Sequence, residues 1–466
     1  MTNICLYDKM HGVRCLTVEK DREYSDIVLN SEQKSDLKKN INSEERTYIC
    51  IDLKSFYASV EAVERSMDPM TENLVVADPS RGRGAICLAI TPAMKKLGVK
   101  NRCRLFEIPK GINYVTALPH MKKYMRYSAK IYAVYLRFVS ADDIHVYSID
   151  ECFIDATDYL KIYGVDGRDF AKSLKNAVFA ETGITATCGI GTNLFLAKVA
   201  LDIDAKHADD GIGYLDRVQF RRKIWRHRPI TDVWNVGRGI AKRLEKYGIY
   251  DMCGVAGCDE DLLYKEFGVN AEFLIDHSHG EEPCTIADIH KYKSKSRSIS
   301  NGQILFSDYS YEQACTVVKE MADFITQELA EKHLVTDDIF LMIGYSKDAN
   351  RPTGGMKKLS GGYTRSYNVL KNAFLSIYES TAVKSLPIRR ITVGANRLLS
   401  DDFAEYDLFT DKAKIDKECD ALDAVMQVKQ KYGKNAVFRA IDLKPEATTR
   451  VRNKLIGGHN GGEEGE

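Results

Sequence analysis

Asp52 closes an apolar run, Tyr48-Ile-Cys-Ile-Asp52-Leu53, that reads as a buried strand. Asp150 and Glu151 sit in the turn between two further apolar runs, His145 to Asp150 and Cys152 to Ala156. A carboxylate set in hydrophobic strand sequence is costly unless something compensates its charge. Carboxylates on adjacent strand ends can hold magnesium, because hard divalent cations take several oxygen ligands. Two such ions roughly 4 Å apart would activate an attacking hydroxyl and stabilise a leaving phosphate in an in-line displacement. Taken singly, Asp52 reads as a helix cap and Asp150-Glu151 as a solvated turn. Their shared apolar setting argues for chemistry.

Such carboxylates need a sheet to hold them, and the flanking sequence supplies one. Ser55 to Ser66 has helical spacing of Phe56, Val60 and Val63, and Leu74 to Ala77 and Ala85 to Ile90 read as a strand pair around the turn 78–84. Pro92 opens a short helix that Gly98 stops. Met121 to Ser140 is helical, as is Asp169 to Thr182; Thr185 to Ile190 is a strand, and Asn193 to Ala205 the next helix. Alternating strands and helices to about residue 215 predict a sheet covered by helices on one face. Residues 216–289 read as short helices only. Beyond them, Ser294 to Phe306, Ile339 to Ser346 and Ile388 to Ala395 are strands, with helices over Tyr311 to His333 and Tyr367 to Ser380. Asp411 to Lys431 reads as a further helix. The glycine-rich end, 457–466, is expected to be disordered.

The chain has 466 residues, 67 Lys and Arg against 66 Asp and Glu, and 44% hydrophobic residues. That composition excludes a collagen-like, wholly disordered or disulfide-stapled protein. No apolar stretch is long enough for a membrane span, and the N-terminus lacks a signal peptide's apolar core, so a cytoplasmic protein is expected. The 12 cysteines form no CxxC pair and read as reduced, mostly buried residues rather than zinc ligands. Charge is unevenly spread. Residues 221–243 carry eight bases against Asp232, residues 351–400 nine against Glu379, and 401–424 nine acids against three lysines. Basic segments of this kind attract phosphate backbones by counterion release.

Ile51-Asp-Leu-Lys-Ser-Phe-Tyr-Ala-Ser-Val-Glu61 and Tyr147-Ser-Ile-Asp-Glu-Cys-Phe-Ile-Asp155 resemble the two catalytic motifs of Y-family translesion DNA polymerases. Cys188-Gly-Ile-Gly-Thr-Asn-Leu-Phe-Leu-Ala-Lys-Val-Ala200 resembles the family's third signature. The likeness runs over roughly residues 46–445 and is strongest to the bacterial UmuC-type branch. It implies an α+β right-hand polymerase with palm, small fingers, an all-α thumb and an α/β little finger. The expected spans are an N-terminal extension (1–45), palm (46–56 and 113–215), fingers (57–112), thumb (216–289) and little finger (290–398). An acidic segment with a C-terminal element (399–456) and the tail (457–466) complete the chain.

By the same resemblance, Asp52 and Asp150 would bind two magnesium ions. Glu151 would hold the ion at the primer 3′-hydroxyl, and the Leu53 carbonyl would complete the nucleotide-side ion. Tyr57 matches the steric gate that excludes a ribose 2′-hydroxyl. The amides of Phe56 and Tyr57 are suited to the triphosphate, and Lys198 matches the family's triphosphate lysine. Many relatives carry a Tyr-x-x-Arg pair in the fingers; here the stretch is Pro92-Ala-Met-Lys95, leaving Lys95 to supply charge without a bidentate fork. Lys54 stands where some relatives have an acid.

Val233 to Leu244 resembles the thumb helix–hairpin–helix. Val236, Gly237, Arg238, Gly239, Lys242 and Arg243 are its expected DNA contacts, and Asn235 stands in the place of its usual first glycine. Glu405-Tyr-Asp-Leu408-Phe409 resembles peptides that bind the bacterial sliding clamp, with Glu405 in place of Gln. The resulting expectation is a low-fidelity, template-directed DNA polymerase for lesion bypass and repair. It would work on primer–template DNA and dNTPs near the nucleoid, without proofreading, and with accessory subunits or a recombinase as further partners. The rivals are a palm-domain enzyme such as a nucleotide cyclase, and a non-catalytic DNA- or clamp-binding protein.

Overall fold

The computed structural model describes residues 46–294, 298–346, 351–405 and 411–462. The expectations for residues 1–45 and for Leu408 and Phe409 therefore lie outside the described residues. Two compact units are present, one running to Lys293 and the other spanning Ser294–Gly461.

The first unit is built on strand β1 (Tyr48–Leu53), followed by helix α1 (Phe56–Val63). A small three-stranded sheet comes next, from β2 (Leu74–Val76), β3 (Ala89–Ile90) and β4 (Val115–Ala117), with α2 (Pro92–Lys96) between the last two. Cys87, Ile90, Met94 and Val99 form part of its separate core. After α3 (Met121–Tyr135), the chain adds β5 (Ile144–Val146), β6 (Glu151–Asp155), α4 (Thr157–Tyr163), α5 (Gly167–Thr182) and β7 (Ala186–Gly191). Helix α6 (Leu194–Val199) and strand β8 (Ile212–Leu215) follow. The five-stranded sheet has the order β5-β6-β1-β7-β8, antiparallel except for the β7–β8 pair.

Helices α3 and α5 pack together, and α5 lies on β7. The sequence suggested helices on one face alone, but α6 covers part of the other. The cause is in Gly189 and Gly191: a Cβ on either would lie 2.1 or 2.2 Å from the backbone of Ala197. Only glycine lets helix and strand backbones approach so closely. From Ala200 to Asp204 the helix continues as a π-helical turn.

Residues after β8 are helical, as expected: α7 (Arg217–Lys223), α8 (Arg238–Glu245), α9 (Met252–Ala256), α10 (Glu260–Phe267), α11 (Asn270–Ser278) and α12 (Ile286–Lys291). The first five share a core that includes Phe220, Leu244, Met252 and Leu274, whereas α12 packs Ile286 against Tyr48, Cys50 and Phe153 of the five-stranded sheet.

In the second unit, β9 (Ile299–Tyr309), α13 (Tyr311–Glu331), β10 (Leu334–Val335), β11 (Asp338–Tyr345), β12 (Thr353–Lys358), α14 (Tyr367–Thr381) and β13 (Ile388–Asn396) form an α/β layer. Its antiparallel sheet runs β12-β11-β13-β9. Side chains alternate along it, with Ile339, Leu341 and Ile343 inside against α13 and α14. On the other face Ile304, Phe306, Met342 and Met356 are exposed.

The stretch after β13 belongs to this same unit. Following β14 (Leu399–Ser400), α15 (Lys412–Tyr432) packs on α13, and the ion pairs Arg365–Asp423 at 2.8 Å and Arg439–Asp323 pin it and the segment beyond. Past α16 (Thr449–Arg452), the glycine-rich end is not wholly without structure: β15 (Leu455–Ile456) pairs with β16 (His459–Asn460), the turn being made by Gly457 and Gly458 at positive φ. Among the described residues no helix is long and apolar enough to cross a membrane.

Candidate active site

The period of two in β1 puts Tyr48, Cys50 and Asp52 on one face, and the register sets Asp52 directly opposite Glu151 on β6. The Leu53 amide donates to the Asp150 carbonyl at 3.0 Å, which ties the third carboxylate to the end of the same strand. The three acids expected to act together are therefore adjacent. Glu151 Oε1 lies 2.8 Å from Lys198 Nζ and accepts from Cys50 Sγ at 3.2 Å. Lys198 Nζ also lies 2.9 Å from Asp202 Oδ1, and Asp150 Oδ1 accepts from Ser148 Oγ at 2.6 Å.

Electrostatics follow from burial and from like charges. The Asp52 carboxyl is pushed up to about 7, chiefly by burial and then by Asp150 and Glu151, against the pull of Lys198. Burial also raises Glu151, while Lys198 and Cys50 work the other way. The Cys50 thiol is raised by burial and by Glu151, so it stays protonated. Burial alone would lower the Lys198 ammonium, but Cys50, Glu151 and Asp202 outweigh it and hold the group charged.

Lys198 was expected at a triphosphate. It is 7% exposed and held by two carboxylates, so in this structure its charge compensates the acid cluster. Cys50 and Asp202 were missed in the sequence, although i−2 from Asp52 on a strand and i+4 from Lys198 on a helix are the spacings that share a face.

Hard oxygen donors and an Asp52 carboxyl destabilised by like charge suit a divalent cation. Among the described residues no three His, Cys, Asp or Glu side chains converge on one point. Glu151 leans to Lys198 and Asp150 to Ser148, so loading would need those partners exchanged.

At the β1–α1 turn, Ser55 is held at φ 50°, and its buried hydroxyl has no protein partner. The first-turn amides of Phe56 and Tyr57 have no intrahelical acceptor, and no acid in that turn competes for them. The Tyr57 hydroxyl is raised chiefly by burial and then by Asp150, against the pull of Arg102, so it lies within electrostatic reach of that acid. The Tyr57 ring stacks on Tyr124 at 4.5 Å. Pro92 opens α2, and Lys95 in its last turn is near enough to Asp52 and to Lys206 to feel both charges. Arg102 and Lys206 are two cations that the sequence reading did not single out.

In the helical part, Asn235 takes φ 68°, the left-handed conformation that its replacement of glycine requires. Gly237 caps α8 without a side chain, and neither Gly237 nor Gly239 would have a neighbour within 4 Å of an added Cβ. Arg238 and Lys242 are exposed. Two expected contacts behave otherwise. The Val236 side chain is buried in the helical core, leaving only its backbone for a ligand. Arg243 donates to the Glu266 carbonyl at 2.9 Å and stacks on Phe267, so its guanidinium serves packing.

The mixed sheet thus carries its acids at the ends of the central strands β1 and β6, and the helical part carries a hairpin with exposed bases. Residues 51–202 match the model of the impB/mucB/samB family. The chain is 31% identical over 425 residues to the putative UV-damage repair protein UvrX of Bacillus subtilis, covering 89% of this chain and 97% of that one. It is 29% identical to DNA polymerase IV 2 of Halalkalibacterium halodurans, over 89% of this chain and 99% of that one. A solved Y-family DNA polymerase chimera shares the fold with a TM-score of 0.59 at 18% identity, over 76% of this chain and 99% of that chain. The chain belongs to the impB/mucB/samB family of Y-family DNA polymerases, and has their palm, finger, thumb and little-finger architecture. Polymerases of this fold use divalent metal ions.

Proposed function

We propose that the chain is a template-directed, low-fidelity DNA polymerase that extends primers past damaged bases in DNA repair. The observation that carries this reading is the pairing of Asp52 with Glu151 across β1 and β6, with Asp150 tied to the same strand end. Asp52, Asp150 and the Leu53 carbonyl would hold one magnesium ion at the nucleotide, and Asp52, Asp150 and Glu151 a second at the primer end. When bound, two such ions supply charge for both the attacking and the leaving oxygen.

The chain's own groups do the rest. Lys198 opposes the upward push that burial gives the Glu151 carboxyl. The free amides of Phe56 and Tyr57 suit the β- and γ-phosphates, since a helix start offers donors and a favourable dipole. Lys95 adds charge from the fingers side, and Lys206, which shares its surroundings, belongs with it. Tyr57 excludes a 2′-hydroxyl from the sugar position. On the thumb, the first-turn amides at Gly237, Arg238 and Gly239 and the side chains of Arg238 and Lys242 suit a DNA phosphate. In the second unit, Lys358 and Arg390 are exposed on the sheet face away from its helices and suit further backbone contacts. The 405–409 peptide is assigned to a sliding clamp on its sequence alone.

Primer extension with magnesium and all four dNTPs, on undamaged and abasic templates, tests this reading. Wild type should extend both. Asp150→Ala should extend neither while still binding primer–template. Equal extension by the variant would overturn the assignment.

A further inference from the structure

The Tyr57 ring does not stand alone: it lies flat on Tyr124, centroid to centroid 4.5 Å with planes 21° apart. Tyr124 is fully buried on α3, and its hydroxyl donates to Glu61 Oε1 at 2.8 Å. Glu61 is itself fully buried on α1, one turn beyond Tyr57. The same Oε1 lies 2.8 Å from His120 Nδ1 at the start of α3, and Arg65 pairs with the other oxygen. Phe56 meets the Tyr124 ring edge-on at 6.5 Å. Two helices are thus fastened through one buried carboxylate, and the product of that fastening is a fixed surface beneath Tyr57.

We propose that Tyr124, anchored by Glu61, His120 and Arg65, is a positioning residue that sets sugar discrimination by holding the Tyr57 ring in place. The inference rests on Tyr57 acting as the gate. An aromatic ring rejects a 2′-hydroxyl only if it cannot yield, and a ring backed by open space turns aside at little cost. Here the Tyr124 face blocks that motion, and the hydrogen bond to Glu61 stops Tyr124 from retreating with it. A buried Glu61 without partners would be strongly unfavourable, so Arg65 and His120 are required for the anchor to persist. This arrangement differs from an ordinary aromatic core pair, because one ring is partly exposed and the other is fully buried.

The test is single-nucleotide insertion with a dNTP and the matching rNTP, read as the ratio of their kcat/KM values. Tyr57→Ala is the control for the gate itself and should collapse the ratio. Tyr124→Leu should lower it by about tenfold, the scale of one lost aromatic stack, through faster ribonucleotide insertion. Tyr124→Phe, which keeps the stack and loses the anchor, should fall between wild type and Tyr124→Leu, and serves if Tyr124→Leu does not fold. A purely structural role would lower both insertion rates together and leave the ratio unchanged. If Tyr57→Ala collapses the ratio and neither Tyr124 variant moves it, the positioning role is wrong and the gate stands. If Tyr57→Ala leaves the ratio unchanged, the gate reading itself fails, and this inference with it.

Discussion

Lys198 Nζ lies 2.8 Å from Glu151 Oε1, and that one ion pair divides the acids of the site into two kinds. Glu151 has a buried counter-ion. Asp52, directly across from it, has no ion pair among the described residues and is left to the repulsion of its neighbours. The site thus keeps one carboxylate ready and one in deficit.

Removing Lys198 should therefore be expensive. Lys198→Met strips the cation from a pair whose side chains are 9% and 11% exposed, and breaking such a buried pair costs about 3–5 kcal/mol. Glu151→Gln made in the same chain should recover a large part of that loss, since Glu151, the more buried of the two carboxylates that Lys198 holds, then carries no unpaired charge. Urea unfolding of the two single variants and the double variant measures the coupling. Additive losses would show that the pair contributes little.

Asp52 makes a prediction about pH. Its folded value of about 7 lies above the ordinary 3.8. Between those values the folded chain holds a proton that the unfolded chain has lost, so stability falls as pH rises through the window. For metal-free protein in EDTA, the slope from this one group should approach ~1.4 kcal/mol per pH unit. Asp52→Asn should flatten the curve and be the more stable protein at pH 8, while losing polymerase activity. Unfolding midpoints at pH 5 and pH 8 for both proteins check this.

Much of this was legible in the sequence because it is local. The strand ending on Asp52, the turn with Asp150 and Glu151, and the helix after Ser55 follow from apolar runs and their breaks. Asn235 could be assigned positive φ because it stands where the helix–hairpin–helix resemblance has a glycine, and Asn tolerates that conformation. What was missed depends on partners distant in sequence. Arg243 and Arg238 look alike in a basic run, and only the approach of Glu266 and Phe267 commits one of them to packing. The ion pair of Lys198 with Glu151 escapes the sequence for the same reason, since it depends on Gly189 and Gly191 bringing α6 down onto the sheet. Strand β12 escaped notice because Gly354 and Gly355 interrupt its pattern, although it pairs along Leu341 and Met342.

The division between Arg238 and Arg243 is open to measurement. Arg238→Ala and Lys242→Ala should each weaken primer–template binding and reduce the dependence of log K on log salt by about one, with unfolding unchanged. Arg243→Ala should instead lower stability by about 1 kcal/mol, from a lost hydrogen bond and cation–π contact, and leave the salt slope intact. Fluorescence titrations at several salt concentrations, with parallel melts, separate the two outcomes.

The glycines of β7 link packing to chemistry most directly. A Cβ at Gly189 would lie 2.1 Å from the Ala197 carbonyl oxygen and 2.2 Å from the Leu201 amide nitrogen. Backbone cannot yield as a flexible side chain can, so Gly189→Ala must push α6 off the strand, at about 3 kcal/mol. Lys198 follows Ala197 in that helix, so the same displacement draws its ammonium from Glu151. The variant should therefore lose activity beyond what its lost stability explains, even at temperatures where it remains folded. Primer extension at 15 °C, compared with Gly237→Ala, whose added Cβ meets nothing within 4 Å, distinguishes a displaced lysine from general unfolding. Full activity in folded Gly189→Ala would show that the 2.8 Å contact of Lys198 with Glu151 is not needed for catalysis.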